Sequence, residues 1–135
     1  MSNDRKIRAG FIGCGGHAFR NVYPTFQYAP VELIATCDLV DDRAKQFARQ
    51  FGALRHYTDH HEMLEAEDLD GVFIVTGYGP DNRPLYPPLA IDCMRAGCHV
   101  WIEKPPAASV TEVEQMISVE KETGKFTLVG LKKAF

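Results

Sequence analysis

The sequence predicts an α/β fold, with a doubly wound, mainly parallel sheet flanked by helices. Short apolar runs rich in β-branched residues alternate with segments that place an apolar residue every three or four positions. The strand-like runs are apolar throughout, as is typical of a parallel sheet covered on both faces. A length of 135 residues gives room for one domain, spanning 1–135.

Five segments have the composition of buried strands, and a shorter sixth is expected near His56 and Tyr57. The five predicted strands are residues 7–12, 31–37, 71–75, 99–102 and 126–129.

Three segments have a clear helical pattern. Residues 41–52 place the apolar positions 44, 47, 48 and 51 on one face, with Asp41 as N-cap and Gly52 as the end. The stretch 83–97 is also helical, but its three prolines should push the regular part toward Ala90. It follows a predicted loop at 77–83.

Ser109 and Glu112 have the spacing of a capping box for the third helix. Positions 113, 116, 117 and 120 should form its core face, and Gly124 should end it.

A GxGxxA motif follows the first strand and precedes a predicted helix; its residues are Gly13, Cys14, Gly15, Gly16, His17 and Ala18. The first glycine permits a tight turn, the second lets the backbone approach a diphosphate, and Ala18 lets helix and strand pack closely. A helix N-terminus favours such an anion. His17 is expected either to contact the diphosphate or to be a partly exposed residue at the start of the helix. The motif therefore predicts a dinucleotide site, with a glycine-rich turn that binds nothing as the alternative.

Asp38 ends the second strand, twenty residues beyond Ala18, where this fold supplies the carboxylate that binds a ribose. The same charge would repel a 2'-phosphate, so the predicted cofactor is NAD rather than NADP. The alternative is that Asp38 caps the following helix, a role that Asp41 and Asp42 can also fill.

Lys104 comes directly after the strand 99–102, where ligands bind in open parallel sheets. A lysine there can hold a substrate hydroxyl and assist proton transfer. A solvated loop lysine is the alternative.

Together these motifs resemble the Gfo/Idh/MocA family, named for glucose-fructose oxidoreductase and inositol dehydrogenase. The likeness runs through residues 9–16, 37–38, 43–44, 56–59 and 96–105, the last similar to the family's AGxHVxxEKP signature. The resemblance implies a Rossmann-type, NAD-binding domain of an oxidoreductase that transfers hydride to or from a secondary alcohol of a sugar, cyclitol or related polyol. It implies that Lys104 is catalytic and contacts substrate, that Glu103 and Pro105 shape its turn, and that Thr76 lies at the cofactor.

Two departures from the family pattern stand out. The loop after Thr76 is longer than usual, and Tyr86 occupies the place aligned with a family histidine. The family's substrate domain, which brings a catalytic Asp and His and the oligomer contacts, is absent from the sequence. The chain alone is thus expected to be inactive, and the resemblance is compatible with a homo-oligomer in the full-length enzyme.

Two other functions stay open. A noncatalytic nucleotide-binding or redox-sensing module would bind NAD without turnover. A methyltransferase using S-adenosylmethionine also needs a glycine-rich first turn, although the GxGxxA form and Lys104-Pro105 argue against it.

Composition excludes several partners. The formal charge is −3 and basic residues do not cluster, which argues against nucleic acid. No apolar run approaches the roughly 18 residues of a membrane span, and the N-terminus lacks the pattern of a signal peptide, so a cytoplasmic protein is expected. The four cysteines are expected to be buried free thiols.

No metal site is predicted. His60 and His61 stand beside Glu62, but adjacent side chains on a helix are expected to point in different directions. The sequence indicates instead that the two histidines lie at the solvent-exposed start of a helix.

Overall fold

The computed structural model describes residues 5–131 and contains a six-stranded parallel sheet in this range. The strands are β1 (Ile7–Ile12), β2 (Val31–Cys37), β3 (Arg55–Tyr57), β4 (Gly71–Ile74), β5 (His99–Glu103) and β6 (Thr127–Gly130). The α-helices of the same range are α1 (Asp41–Phe51), α2 (His60–Ala66), α3 (Tyr86–Arg95) and α4 (Val110–Thr123). The predicted α/β class is confirmed.

The strand order across the sheet is β3-β2-β1-β4-β5-β6. The chain builds outward from β1 in one direction and then, after β3, returns to build from β4 in the other. The gap between β1 and β4 at their carboxyl ends is therefore the point at which the strand order reverses, where open α/β sheets bind ligands.

Two buried clusters cover the sheet. In β1, Ile12 belongs to an aliphatic cluster with Ile34 and Ile74, whereas its neighbour Phe11 belongs to an aromatic cluster. Successive strand residues point to opposite faces, so each face has its own core. Tyr23 joins the aromatic face, with its ring stacked 3.9 Å from that of Phe11.

The segment after the glycine-rich turn differs from the expected regular helix. It forms a π-helical turn, Ala18–Val22, followed by a 3-10 helix, Tyr23–Tyr28. Pro24 has no N–H to continue an α-helix, and Tyr23 is almost fully buried between the rings of Phe11 and Phe51. We infer that burial of this ring favours the irregular path over continued helix.

The prediction of Asp41 as N-cap is wrong. Val40 precedes the helix, and its N–H donates to Asp38 Oδ1 at 2.8 Å. Val40 is still extended, and Asp41 is the first helical residue. Gly52 ends α1 in the left-handed conformation, as predicted.

The prolines of α3 have a different effect from the expected one. The regular helix begins at Tyr86 with Pro87 and Pro88 in its first turn, where the missing N–H groups have no intrahelical partner to lose. The prolines thus start the helix instead of delaying it.

Helix α4 begins as predicted, because Ser109 Oγ accepts from the Glu112 N–H at 3.2 Å. Its core face is partly different from the prediction. Met116 and Val119 are buried, while Ile117 is 43% exposed. None of the helices in residues 5–131 has the length and hydropathy needed to cross a membrane.

All four cysteines are free and buried, as expected. Burial raises the pKa of Cys14 and that of Cys37 to about 12. At pH 8 a thiol of this pKa is about one part in ten thousand thiolate, the reactive form.

We therefore predict that Ellman's reagent at pH 8 modifies the folded protein slowly and the guanidinium-unfolded protein rapidly at four thiols. The measurement is the time course of absorbance under both conditions. Rapid modification of Cys14 in the folded protein, located by mass spectrometry, would contradict this prediction.

Candidate nucleotide site

A cleft of about 580 Å³ opens at the carboxyl ends of β1, β2 and β4, where the strand order reverses. We call it the switch-point cleft. Its walls are formed by Ile12, Gly13, Cys14, Gly15, Cys37, Asp38, Leu39, Val40, Arg43, Thr58, His60, Val75, Thr76, Gly77, Leu85, Pro88, Leu89 and Asp92.

The two glycines of the turn have different surroundings. Gly13 has φ of +98°, and a Cβ there would stand 1.9 Å from the Val75 carbonyl oxygen. A Cβ on Gly15 would meet no heavy atom of the described chain within 4 Å. Nothing in residues 5–131 requires glycine at position 15, and the space that its missing side chain leaves open belongs to the cleft.

Asp38 and Cys14 join the turn to the end of β2. The Cys14 N–H donates to Asp38 Oδ2 at 2.8 Å, while the Val40 N–H donates to Oδ1. The Asp38 carboxylate is therefore fixed at the cleft wall by two backbone donors. Neither bond caps α1, because the N-terminus of that helix has no side-chain cap hydrogen bond.

Thr76 presents a buried polar atom without a partner. Its Oγ1 has no hydrogen bond among the described residues, whereas its carbonyl oxygen accepts from the Tyr86 hydroxyl at 3.1 Å. Burial raises the pKa of Tyr86 to about 12. Tyr86 holds the loop after β4, and Thr76 Oγ1 is left for a ligand in the cleft.

His17 and Glu103 line a second cleft, of about 490 Å³, together with Trp101 and Leu128. The imidazole Nε2 of His17 is 3.5 Å from Glu103 Oε1. The predicted His17–diphosphate contact would need His17 to turn away from Glu103, because the pair faces this second cleft.

Lys104 and Pro105 follow β5 and line neither cleft. Lys104 is exposed, and its side chain forms no hydrogen bond or ion pair with the part of the chain that the structure describes. The peptide bond between them is cis.

The remaining motif residues have packing roles or face solvent. Ala18 is fully buried in the aromatic cluster, which fits the predicted close approach of helix and strand. Gly16 is exposed and a Cβ there would approach Arg20 Nη2 at 3.5 Å.

Sequence reasoning missed several residues of the cleft. Thr58 directly follows β3, and Leu39 and Val40 come within three residues of the end of β2, so the rule that ligands bind at carboxyl ends could have identified them. Leu89 and Asp92 come from α3, and their orientation depends on how that helix packs.

The residues present fit a dinucleotide. Gly15 leaves room for a diphosphate, Asp38 offers a carboxylate to a ribose, and Thr76 Oγ1 offers a hydrogen bond. All three line one cleft at the position where this topology binds nucleotides.

Comparison with known proteins also indicates a dinucleotide-binding domain. Residues 7–131 match the family model described as "Oxidoreductase family, NAD-binding Rossmann fold", GFO_IDH_MocA. The structure of a dehydrogenase from Chromobacterium violaceum in complex with NADH and UDP-GlcNAcA superposes with a TM-score of 0.83 at 31% identity, over 96% of this chain and 36% of that one.

Two further relatives show the range of functions. A 3-ketoreductase from Actinomadura kijaniata, solved with TDP-benzene and NADP, has a TM-score of 0.83 and 28% identity, over 93% of this chain and 38% of that one. An α-N-acetylgalactosaminidase from Shewanella oneidensis is 34% identical over 128 residues, covering 88% of this chain and 27% of the relative.

The chain thus spans about a third of the length of these relatives. The match with the family model covers nearly the whole chain, and the strand order and the cleft agree with it. The chain belongs to the Gfo/Idh/MocA oxidoreductase family and forms its NAD-binding Rossmann domain.

Proposed function

We propose that this domain serves an oxidoreductase that transfers hydride between NAD and a secondary alcohol of a sugar, cyclitol or related polyol. The observation that supports it most is the free space at Gly15, next to Asp38 and Thr76 in the switch-point cleft. Bound NAD supplies the hydride acceptor. The chain's own residues bind and orient the cofactor.

The diphosphate is proposed to lie over Gly15, where no side chain intervenes. The adenosine ribose is proposed to bind Asp38. Each of its carboxylate oxygens accepts one backbone N–H, and each can accept a further hydrogen bond. The backbone donors fix the carboxylate in place, while the remaining lone pairs can receive the ribose hydroxyls.

Lys104 is proposed to contact the reacting alcohol. It follows β5, a near neighbour of the cleft in the sheet, and its ammonium is not engaged by any described residue. In this role it holds the substrate oxygen and moves its proton, jointly with groups of a substrate domain.

Replacing Asp38 by Ser should lower NAD affinity about 10- to 100-fold and change NADP affinity much less. The reason is that a charge-assisted bond is worth about 1.5 to 3 kcal/mol, and Asp38 makes such bonds only with the unphosphorylated ribose. Calorimetry with both nucleotides measures the two dissociation constants. Undiminished preference for NAD would show that another group binds the ribose.

Asp42→Ser is the matched control, because Asp42 is an exposed acid at the start of α1 that does not line the cleft. It should leave both affinities unchanged. Asp38→Asn is the second variant, since it removes the charge but keeps one side-chain acceptor for the Cys14 or Val40 N–H.

A second candidate function is glycoside hydrolysis, favoured by the similarity to the Shewanella α-N-acetylgalactosaminidase. The dehydrogenase and hydrolase functions are distinguished by assays of the longest protein that the gene encoding this chain naturally produces. Polyol-dependent NADH formation supports the dehydrogenase, and release of nitrophenol from nitrophenyl α-N-acetylgalactosaminide without net NADH supports the hydrolase. NAD binding with neither activity would support the noncatalytic module.

A further inference from the structure

Two imidazoles and one carboxylate converge where α2 meets α3. His60 and His61 are the first residues of α2, and Asp92 lies in α3. His60 Nε2 is 2.9 Å from Asp92 Oδ2, and His61 Nε2 is 3.5 Å from the same oxygen. Ligand-type atoms of the three side chains lie within 4.8 Å of one another.

The expectation that the two histidines diverge is therefore wrong. Their rings lie side by side, with centroids 4.1 Å apart. Side chains on a helix tilt toward its N-terminus, so those of the first two residues can extend beyond the helix end instead of around its axis. The Asp59 carboxylate accepts from the His61 N–H at 2.9 Å and fixes this helix start.

We propose that His60, His61 and Asp92 bind a zinc ion. Zinc takes nitrogen and carboxylate ligands at about 2.0 to 2.2 Å in tetrahedral geometry, which puts neighbouring ligand atoms about 3.3 Å apart. The two distances to Asp92 Oδ2, 2.9 and 3.5 Å, lie on either side of this value. In the proposed site the ion takes the place of the His60–Asp92 hydrogen bond.

The chemistry of the ligands selects the metal. Imidazole suits zinc and other late first-row ions, whereas calcium and magnesium prefer all-oxygen sites. Two neutral imidazoles and one carboxylate partly neutralise a divalent ion. Three protein ligands leave a fourth position open for water or another ligand.

A plain hydrogen bond between His60 and Asp92 does not account for His61. The His61 side chain is 64% exposed, yet its Nε2 is turned toward Asp92. At 3.5 Å this contact is longer than the usual 2.7 to 3.2 Å of an N–H···O bond. A cation bound by all three side chains would account for the orientation of the His61 ring toward Asp92.

The proposed zinc site shares the switch-point cleft with the proposed nucleotide site, because His60 and Asp92 line that cleft. The proposal does not rest on nucleotide binding, and its test is made with the nucleotide-free protein.

The test is calorimetric titration of the untagged chain with ZnCl₂ at pH 7.5, together with visible absorption after titration with Co²⁺. We expect one zinc per chain and the intense visible bands of four-coordinate Co²⁺. His61→Ala and Asp92→Asn should each weaken zinc binding at least tenfold. His61→Ala is the cleaner variant, because the exposed ring can be removed without disturbing the core.

His56→Ala is the matched control. Its Nε2 lies 3.4 Å from Asp41 Oδ1, outside the cluster, and zinc affinity should stay the same. Zinc should also raise the unfolding temperature of the parent and of His56→Ala, since a ligand that binds the folded state stabilises it, but not that of His61→Ala. Absence of saturable binding up to 100 µM zinc, or parental affinity in His61→Ala, would overturn the proposal.

Discussion

Replacing Gly15 by Val is expected to abolish NAD binding and to leave the domain folded. The added Cβ would meet no heavy atom of residues 5–131 within 4 Å apart from its chain neighbours, so we expect the variant to fold. It would occupy the space proposed for the diphosphate. Calorimetry with millimolar NAD and NADH, with thermal unfolding measured in parallel, tests both halves of this prediction.

Gly13→Val is the informative comparison. Its Cβ would stand 1.9 Å from the Val75 carbonyl oxygen, and φ of +98° is a conformation that side chains rarely adopt. This variant should lose folding stability, by more than about 3 kcal/mol. If Gly15→Val instead bound NAD with parental affinity, the diphosphate would have to lie elsewhere.

Lys104→Ala is expected to reduce turnover 10²- to 10⁴-fold, the usual contribution of general acid-base catalysis. NAD affinity should change by less than about 1 kcal/mol, because the proposed partner of Lys104 is the reacting alcohol and not the cofactor. The assay is NADH formation over a panel of polyols by the longest natural product of the gene. The 135-residue chain alone is expected to bind NADH without turnover.

Lys121→Ala serves as the control for this experiment, since Lys121 is exposed on α4 and lines neither cleft. Its activity should equal that of the parent. Turnover unaffected by Lys104→Ala would remove the catalytic role. Robust Lys104-dependent turnover by the 135-residue chain would show that no further domain is needed.

The strands could be predicted because each is a short apolar run whose pattern is set by neighbours in the sequence. All six were found: β4 and β5 differ from the prediction by one residue at one end, β6 is shifted by one residue at both ends, and β3 also includes Arg55. The irregular segment after the glycine turn could not be predicted, because the position of Tyr23 depends on rings from α1 and β1. Contacts between residues far apart in the sequence cannot be inferred from local periodicity.

Residues of the candidate site could be predicted where they follow strand ends. They could not be predicted where their position depends on helix packing. Gly15, Asp38 and Thr76 come together because three strands end at one edge. Asp92 approaches His60 only because α3 lies against the start of α2. The separation of Glu103 and His17 into a second cleft likewise depends on the position of β6.

The hydrogen bond from the Cys14 N–H to Asp38 has an evolutionary consequence. The carboxylate proposed to choose between NAD and NADP also accepts the Cys14 N–H of the glycine-rich turn and the Val40 N–H just before α1. A lineage that changes its cofactor by replacing Asp38 must therefore restore those two backbone partners by some other substitution. Switching of cofactor preference should accordingly require paired mutations, the first of which is tolerated only in a background with stability to spare.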